Sequence, residues 1–201
     1  MPMKLYSAPA SPYAAKARMG AVVAGLPVEI TNVSTASEPA DLIDTNPLGK
    51  IPTLLNDDGV NIYDSRAIMQ YLDRAGGRKL YPRNAAKRTE AEVTEALCDG
   101  ICDALLLIVY ERRYRSEELV HQPWLDLQWR KVTRGLEVLE KRLPRMGKSP
   151  TAAHLAIAAV LGYLNLRFEG QWERGRPKLK AFMRKFEANF PDLARLCPQA
   201  D

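Results

Sequence analysis

The chain has 201 residues, of which 46% are hydrophobic and 26% are charged. These fractions are typical of globular proteins and exclude a chain that is disordered throughout, because its apolar side chains can bury a core. The length allows one large domain or two small ones, at roughly 100–200 residues per domain. The net charge is +5. The denser basic stretch at 174–185 carries no nucleic-acid-binding motif, so we interpret it as a solvated helix face and expect no nucleic-acid partner.

Membrane and export signals are not found in the sequence. The longest apolar run is 104–109, whereas a membrane-spanning helix needs about 20 such residues. The N-terminus lacks the apolar centre of a signal peptide. The three cysteines, Cys98, Cys102 and Cys197, cannot form a disulfide framework, and neither histidine is spaced as a zinc ligand. We therefore expect a cytoplasmic protein with buried thiols, without a metal and without a membrane partner.

The first half of the chain alternates between predicted strands and helices. In chain order these are a strand at 3–6, a helix at 12–24, a strand at 28–33, a short helix at 39–44, strands at 53–55 and 60–63, and a helix at 65–74. Ser11-Pro12 predicts the start of the first helix and Gly25 its end. A parallel β-α-β unit followed by an antiparallel hairpin and a helix predicts an α/β, thioredoxin-like domain with a four-stranded mixed sheet.

The second half is predicted to be helical throughout. Residues 76–86 are rich in turn formers and predict a linker. Long helical patterns follow at 85–115, 124–143, 151–167 and 178–189, separated by prolines. We therefore expect a thioredoxin-like domain at 1–75, a linker at 76–86 and an all-α C-terminal domain at 87–201.

Polar residues lie at the ends of the predicted elements of the first half. Ser11 precedes the free N–H groups of a helix, a position that favours an anion, and its hydroxyl can donate a hydrogen bond to a thiolate. Asp64 and Ser65 begin a helix directly after a strand, where they can hold an ammonium and a carboxylate. Lys50, just before Ile51-Pro52, can meet a second carboxylate. Taken singly, Asp64 and Ser65 are also ordinary helix caps.

Together these residues carry a family resemblance. The segment Asn46-Pro47-Leu48-Gly49-Lys50-Ile51-Pro52-Thr53-Leu54, followed by Tyr63-Asp64-Ser65-Arg66-Ala67-Ile68, resembles the glutathione-binding half of cytosolic glutathione transferases. The segment Ser11-Pro12-Tyr13-Ala14-Ala15-Lys16-Ala17-Arg18 resembles the first-helix motif of many bacterial members. The resemblance covers nearly the whole chain.

The resemblance implies how glutathione is held. Pro52 would follow a cis peptide bond, and the backbone of Ile51 would pair with the cysteinyl part of glutathione. Asp64 and Ser65 would bind the γ-glutamyl end, and Lys50 would meet the glycyl carboxylate.

The resemblance also implies which residue acts on the thiol. Ser11 is expected to be catalytic, because its hydroxyl and the helix dipole would stabilise the thiolate together. Tyr6 and Ser7, at the end of the first strand, are alternatives, and a helix cap without a catalytic role is another. Asp99 would reach the glutathione of a partner subunit, with a solvated surface acid as the alternative.

The second substrate is implied to lie between the two halves, against the helix at 85–115. Candidate contacts there are Leu106, Tyr110, Arg113 and Tyr114. The implied protein is a homodimeric enzyme that joins glutathione to small hydrophobic electrophiles. The alternatives are a glutathione-dependent reductase, isomerase or dehalogenase, and a non-catalytic member that binds ligands or proteins.

The sequence departs from the family pattern in one place. The family begins the core helix of its second half with a Ser/Thr-x-x-Asp capping box, whereas this chain has Thr151-Ala152-Ala153-His154. A neutral imidazole can accept the capping hydrogen bond, but a cation would oppose the helix dipole. We therefore expect His154 to be neutral and the stability to fall below about pH 6.

Overall fold

The computed structural model describes residues 2–200. Its strands β1 (Met3–Ser7), β2 (Val28–Asn32), β3 (Thr53–Leu55) and β4 (Asn61–Ile62) form one sheet in the order β2-β1-β3-β4. β1 is parallel to β2 and antiparallel to β3, and β3 is antiparallel to β4. The predicted mixed four-stranded sheet is confirmed.

Helices cover the sheet and form the whole second half apart from its loops. They are α1 (Pro12–Ala24), α2 (Ala40–Thr45), α3 (Ser65–Ala75), α4 (Ala85–Tyr114), α5 (Gln122–Lys141), α6 (Ala152–Phe168), α7 (Pro177–Asn189) and α8 (Pro191–Ala194). Where an element was predicted, each of its ends lies within two residues of the prediction, and the ends of α1 and β3 match it. The sequence did not predict α8 or the 3₁₀ turns at Thr35–Ser37 and Glu117–Leu119, because such short segments show no helical period.

The ends of α1 follow local rules. Ser11 is the N-cap, and its Oγ accepts a hydrogen bond from the Ala14 N–H at 3.2 Å. Gly25 ends the helix in the left-handed conformation at φ 74°, where a side chain would be strained. The helix therefore starts and stops where Ser11-Pro12 and Gly25 predict.

Two buried helices join the halves of the molecule. α1 packs against α3 on the sheet side and against α6 of the helical half. α6 is buried at nearly every position along its length and also packs against α4. An apolar helix without a polar face belongs at the centre of a core. The hydrophobic core is accordingly continuous across both halves.

The predicted linker is packed against the core. Leu80 and Tyr81 are almost fully buried, and their N–H groups donate to Asp73 Oδ1 at 2.8 and 3.1 Å. The Leu80 carbonyl accepts from the Ala152 N–H at 2.8 Å, at the start of α6. The connection therefore fixes one half against the other.

The basic stretch is largely solvated and the cysteines are buried, as the sequence predicts. Among residues 2–200, no helix has both the length and the apolar character needed to cross a bilayer. Five residues of the basic stretch are exposed, as predicted: Arg174, Lys178, Lys180, Arg184 and Lys185. All three cysteines are free and buried.

Candidate active site

A cleft of about 1270 Å³ lies between the sheet half and the helical half. Its wall on the sheet half includes Ser11, Lys50, Ile51, Pro52, Asp64 and Ser65. Its wall on α4 includes Asp99, Leu106, Tyr110, Arg113 and Tyr114. The structure thus brings every residue of the predicted site to one cleft, while their individual roles stay predictions.

Ser11 presents its hydroxyl at the N-terminus of α1. The oxygen accepts the capping hydrogen bond from Ala14. The hydroxyl hydrogen has no acceptor among the residues that the structure describes. Ser11 is half-buried and lines the cleft. Its hydroxyl can therefore donate to a ligand without giving up the helix cap.

The two alternatives to Ser11 lie away from the cleft lining. Ser7 is fully buried, and its Oγ accepts a hydrogen bond from Arg18 at 2.6 Å. Tyr6 is also buried, with the Lys4 ammonium 4.7 Å from the centre of its ring. Of the three candidate hydroxyls, that of Ser11 is the one on the cleft.

Arg18 holds the loop that precedes α1. Besides Ser7, its guanidinium donates to the carbonyls of Ala8 at 2.9 Å, Pro9 at 3.3 Å and Leu196 at 3.0 Å. Burial lowers the pKa of Arg18. The sequence analysis gave this residue no role, although a charged residue in a largely apolar helix signals a buried partner.

The buried side-chain amide of Asn46 fixes the loop before β3. The Ile51–Pro52 peptide bond is cis, as predicted. The Asn46 side chain donates to the Lys50 carbonyl and to Thr53 Oγ1, both at 3.0 Å. The Thr53 hydroxyl donates to the same carbonyl at 2.9 Å. These bonds fix the backbone at Ile51, while the Lys50 side chain is exposed.

Asp64 and Ser65 form the start of α3. Asp64 is the N-cap, and its Oδ1 accepts from the Arg66 N–H at 3.0 Å. Its Oδ2 has no hydrogen-bond partner within residues 2–200. Ser65 is buried, with 3% of its surface exposed. One carboxylate oxygen is thus free for a cation beside the N–H groups of a helix start, which favour an anion.

An ionic cluster of Lys16, Arg66, Glu95 and Asp99 lies beside the cleft, and all of its members except Arg66 are buried. Lys16 Nζ lies 2.8 Å from both Asp99 oxygens and 2.9 Å from Glu95 Oε1. Arg66 Nε donates to Asp99 Oδ2 at 2.9 Å. Burial lowers the pKa of Lys16, but the charges of Asp99 and Glu95 outweigh it, so the pKa is raised. Lys16 therefore stays charged.

The ionic cluster shows which environment surrounds Asp99. Asp99 has 5% of its surface exposed, so its interpretation as a solvated surface acid is wrong. Its carboxylate is held by Lys16 and Arg66. The hydrogen bond to Asp99 raises the pKa of Arg66. A contact between Asp99 and the glutathione of a partner subunit stays a prediction.

The wall opposite Ser11 carries aromatic rings and guanidinium groups. Tyr110 and Tyr114 meet edge to face, with ring centroids 5.4 Å apart. The Arg113 guanidinium lies 5.6 Å from the centre of the Tyr110 ring. α6 adds Tyr163 and Arg167 to the lining. The sequence analysis missed both, because the apolar pattern of α6 marks it as core; their spacing of four residues on one helix face was the available signal.

Taken together, these features define the class of the protein. A thioredoxin-like half with a cis-proline loop is followed by a helical half, and a cleft between them is lined by residues from both. The sequence matches the glutathione S-transferase N-terminal domain at residues 5–79 and the glutathione S-transferase C-terminal domain at residues 122–185. The chain belongs to the glutathione S-transferase family.

Relatives of similar length support the assignment. The uncharacterized GST-like protein YibF of Escherichia coli K12 is 32% identical over 169 residues, covering 82% of this chain and 83% of that protein. A glutathione S-transferase from Methylobacterium radiotolerans, solved with glutathione sulfonate, has a TM-score of 0.91 and 34% identity over 100% of this chain and 97% of its own. A family member from Pseudomonas fluorescens Pf-5, solved with S-(propanoic acid)-glutathione, has a TM-score of 0.80 and 31% identity over 99% and 98% of the two chains.

Proposed function

We propose that the protein is an enzyme that binds glutathione on the sheet side of the cleft and joins its sulfur to a small hydrophobic electrophile. The observation that carries this proposal is the convergence of Ser11, the Ile51-Pro52 loop and Asp64-Ser65 on one cleft with an aromatic opposite wall. The related proteins from Methylobacterium and Pseudomonas hold glutathione sulfonate and a glutathione thioether. Those ligands support a glutathione site here.

Glutathione presents an ammonium and a carboxylate at one end and a second carboxylate at the other. The free Asp64 oxygen suits the ammonium, and the Ser65 hydroxyl with the N-terminus of α3 suits the neighbouring carboxylate. The fixed backbone at Ile51 suits the peptide part of the ligand. The exposed Lys50 ammonium suits the glycyl carboxylate. Each charged group of the ligand thus has a complement on the sheet side.

The chemistry requires a thiolate. A free thiol has a pKa of about 8.5, so most of it is protonated at neutral pH. A hydrogen bond from Ser11 and the N-terminus of α1 would both favour the thiolate, and each pKa unit corresponds to about 1.4 kcal/mol. The sulfur then attacks the electrophilic carbon. A C–S bond forms, the leaving group departs with its bonding electrons, and the thiol proton passes to solvent.

The proposal extends to assembly and location. Val60 and Tyr63, the residues directly before and after β4, have exposed hydrophobic side chains, and so does Val93 on α4. Such side chains suit a homodimer interface. Sedimentation equilibrium of the wild type and of Val60→Lys tests the dimer, because a charge at an interface centre would shift the protein toward monomer.

The proposed location is the cytoplasm. Three buried free cysteines suit a reducing compartment of this kind.

Two titrations test the enzyme proposal. Calorimetry with glutathione should give saturable binding in the wild type and a Kd at least tenfold higher in Ser65→Ala. The ultraviolet thiolate absorbance of the bound wild-type complex should be lost in Ser11→Ala. Ser11→Gly is the matched control for capping, since glycine is nearly as good an N-cap as serine but lacks the hydroxyl. It should keep the stability and lose the thiolate signal.

Other outcomes would contradict parts of the proposal. Binding with a thiolate signal that survives in both Ser11 variants would remove Ser11 from catalysis. Binding without any thiolate signal in the wild type would indicate a ligand-binding protein. No binding at millimolar glutathione would exclude the enzyme proposal.

A further inference from the structure

Tyr163 carries a polar group for which the fold provides no partner. It lies on α6 with only 3% of its surface exposed, and it lines the cleft on the side opposite Ser11. Its hydroxyl forms no hydrogen bond with any residue of the described chain, 2–200. Because this hydroxyl lines the cleft and has no partner among those residues, it is available to a ligand that binds there.

Two guanidinium groups accompany this hydroxyl. Arg113 on α4 and Arg167 on α6 line the same cleft. Burial raises the pKa of Tyr163 to about 12, although the positive charges of Arg167 and Arg113 act on it in the opposite direction. The hydroxyl is therefore protonated at neutral pH and can donate. Three donors from two helices, two of them cationic, share this part of the wall.

The acidic residues of the helical wall are already engaged. Asp99 is paired with Lys16 and Arg66, and Asp103 accepts a hydrogen bond from the Tyr13 hydroxyl. The other acids that line the cleft, Glu38 and Asp64, belong to the sheet half. Neither Arg113 nor Arg167 forms an ion pair with a residue that the structure describes. Both guanidinium groups are therefore available to an anionic ligand.

We propose that Arg113, Tyr163 and Arg167 form an anion subsite for the second substrate. The ligand would be an electrophile that carries a carboxylate or a similar oxyanion, with its apolar part against Tyr110 and Tyr114. Guanidinium groups bind carboxylates through charge-assisted, often bidentate hydrogen bonds, and a tyrosine hydroxyl adds a third donor. This inference rests on the proposed function, because it assigns the wall that faces the glutathione side.

A pair of electrophiles, one with a free carboxylate and one with the same carboxylate esterified, tests the subsite. One is the chlorodinitrobenzoate whose carboxylate lies para to the chlorine, and the other is its methyl ester. In both, the sulfur of glutathione attacks the carbon that bears chlorine, the C–S bond forms, and chloride leaves with the bonding electrons. The change in the ratio of kcat/KM for the two compounds between the wild type and a variant reports recognition of the carboxylate, because the intrinsic reactivity of each compound is the same with every protein.

The variants are Arg113→Gln, Arg167→Gln and Tyr163→Phe, and the matched control is Arg112→Gln. Arg112 is exposed beside Arg113 on α4 but does not line the cleft. We expect kcat/KM for the benzoate to fall about tenfold or more in each arginine variant, as for loss of a charge-assisted hydrogen bond. The fall should be severalfold in Tyr163→Phe. Turnover of the ester, and all kinetics of Arg112→Gln, should change less than twofold.

Three results would overturn the subsite. The first is equal loss of both electrophiles, which would indicate structural damage. The second is an unchanged benzoate preference in all three variants. The third is a rise in the KM for glutathione in place of the benzoate effect, which would make glutathione itself the anion bound there.

A binding measurement separates this inference from the proposed function. Dinitrobenzoate without the chlorine cannot react, so calorimetry of its binding to the wild type and the variants does not depend on turnover. Weaker binding in the arginine variants, with no turnover of either electrophile, would support the subsite and contradict the enzyme proposal. Turnover of both electrophiles without arginine-dependent benzoate binding would do the reverse.

Discussion

Arg18 shows how a single side chain decides the position of the residue proposed to be catalytic. Its guanidinium donates hydrogen bonds to the Ser7 hydroxyl and to the carbonyls of Ala8, Pro9 and Leu196. Ser7 is the last residue of β1, and Ala8 and Pro9 lie between β1 and Ser11. The planar fork of an arginine reaches several acceptors at once, which a lysine cannot do. The orientation of Ser11 in the cleft therefore depends on a residue that does not line it.

Replacing Arg18 with lysine should destabilise the protein by about 1–3 kcal/mol, because buried carbonyl acceptors lose their partner. Urea unfolding followed by circular dichroism measures the loss. Arg74→Lys is the matched control, since Arg74 is exposed on α3 and its replacement should change the stability by less than about 0.5 kcal/mol. Equal effects of the two substitutions would show that the hydrogen bonds of Arg18 contribute nothing specific.

At the scale of elements, the start of α6 depends on a histidine in an unusual place. The His154 Nδ1 accepts from the Thr151 N–H at 3.0 Å, and its Nε2 lies 3.2 Å from the Arg145 carbonyl. These partners require the neutral ring with its hydrogen on Nε2, because Nδ1 must accept. Burial lowers the pKa of His154 below its ordinary value of 6.5, despite the opposing hydrogen bond to Arg145. The predicted neutral histidine is consistent with these contacts.

The stability should therefore depend on pH through His154. The unfolded chain binds the proton near pH 6.5 and the folded protein only at lower pH, so the unfolded state gains protons first as the pH falls. Stability is full above about pH 6.5 and declines below it, by up to about 1.4 kcal/mol per pH unit. Urea unfolding between pH 5 and 8 measures this slope.

His154→Gln should remove the slope while keeping an amide acceptor for the Thr151 N–H. His121→Gln is the matched control, because His121 is exposed, and it should keep the slope of the wild type. A slope that is the same in all three proteins would assign the pH dependence to other groups.

Two helical glycines give a second test at this scale. A Cβ at Gly162 in α6 would lie 2.8 Å from the Pro198 side chain and 3.1 Å from Cys197 Cβ. A Cβ at Gly100 in α4 would meet nothing within 4 Å. Gly162→Ala must push the C-terminal segment away, and we expect it to cost about 1–3 kcal/mol. Gly100→Ala should stabilise by about 0.5–1 kcal/mol through helix propensity.

Thermal unfolding of the two variants measures the contrast. The Gly162 substitution has a further consequence, because the displaced segment carries the Leu196 carbonyl that Arg18 binds. The Gln199 N–H of the same segment donates to the Pro9 carbonyl at 3.2 Å. Gly162→Ala should therefore weaken the thiolate signal of the glutathione complex, and Gly100→Ala should not. A stable Gly162→Ala protein would mean that the C-terminal segment yields without cost.

Across the whole molecule, the ionic cluster links the two halves. Lys16 lies on α1 and Arg66 on α3 of the sheet half, whereas Glu95 and Asp99 lie on α4 of the helical half. The Tyr81 hydroxyl donates to Glu95 Oε2 at 2.5 Å, so the connecting segment joins the same cluster. Removing one partner of a buried ion pair leaves an uncompensated charge, which costs about 3–5 kcal/mol.

Lys16→Met should therefore destabilise both halves together. The three tryptophans, Trp124, Trp129 and Trp172, all lie in the helical half, so their fluorescence reports on the half that does not contain Lys16. We expect the urea midpoints from fluorescence and from circular dichroism to shift by the same amount. Asp192→Asn is the control, since its ion pair with Arg195 is exposed and should contribute less than about 1 kcal/mol. An unchanged fluorescence midpoint in Lys16→Met would show that the halves unfold independently.

The sequence by itself determined the features that depend on neighbouring residues. Ser11-Pro12 and Gly25 located the ends of α1, because capping uses groups within one helical turn. The alternation of strands and helices gave the sheet, and the family motifs located Lys50, Ile51 and Asp64-Ser65. The caps and the motifs are each encoded by residues that are close together in the sequence.

Only the tertiary structure decided the features that join distant parts of the chain. Lys16 and Asp99 are 83 residues apart in the sequence, and no local pattern tells that they form a buried pair. No local pattern shows which of the hydroxyls of Tyr6, Ser7 and Ser11 lines the cleft either. The guanidinium of Arg18 and the surrounding packing decide this. The apolar pattern of α6 predicts that Tyr163 is a core residue. In the structure it lines the cleft, and its hydroxyl has no hydrogen-bond partner within residues 2–200. The physical reason is common to all: burial and long-range pairing depend on how helices pack, and the periodicity of one helix does not contain that information.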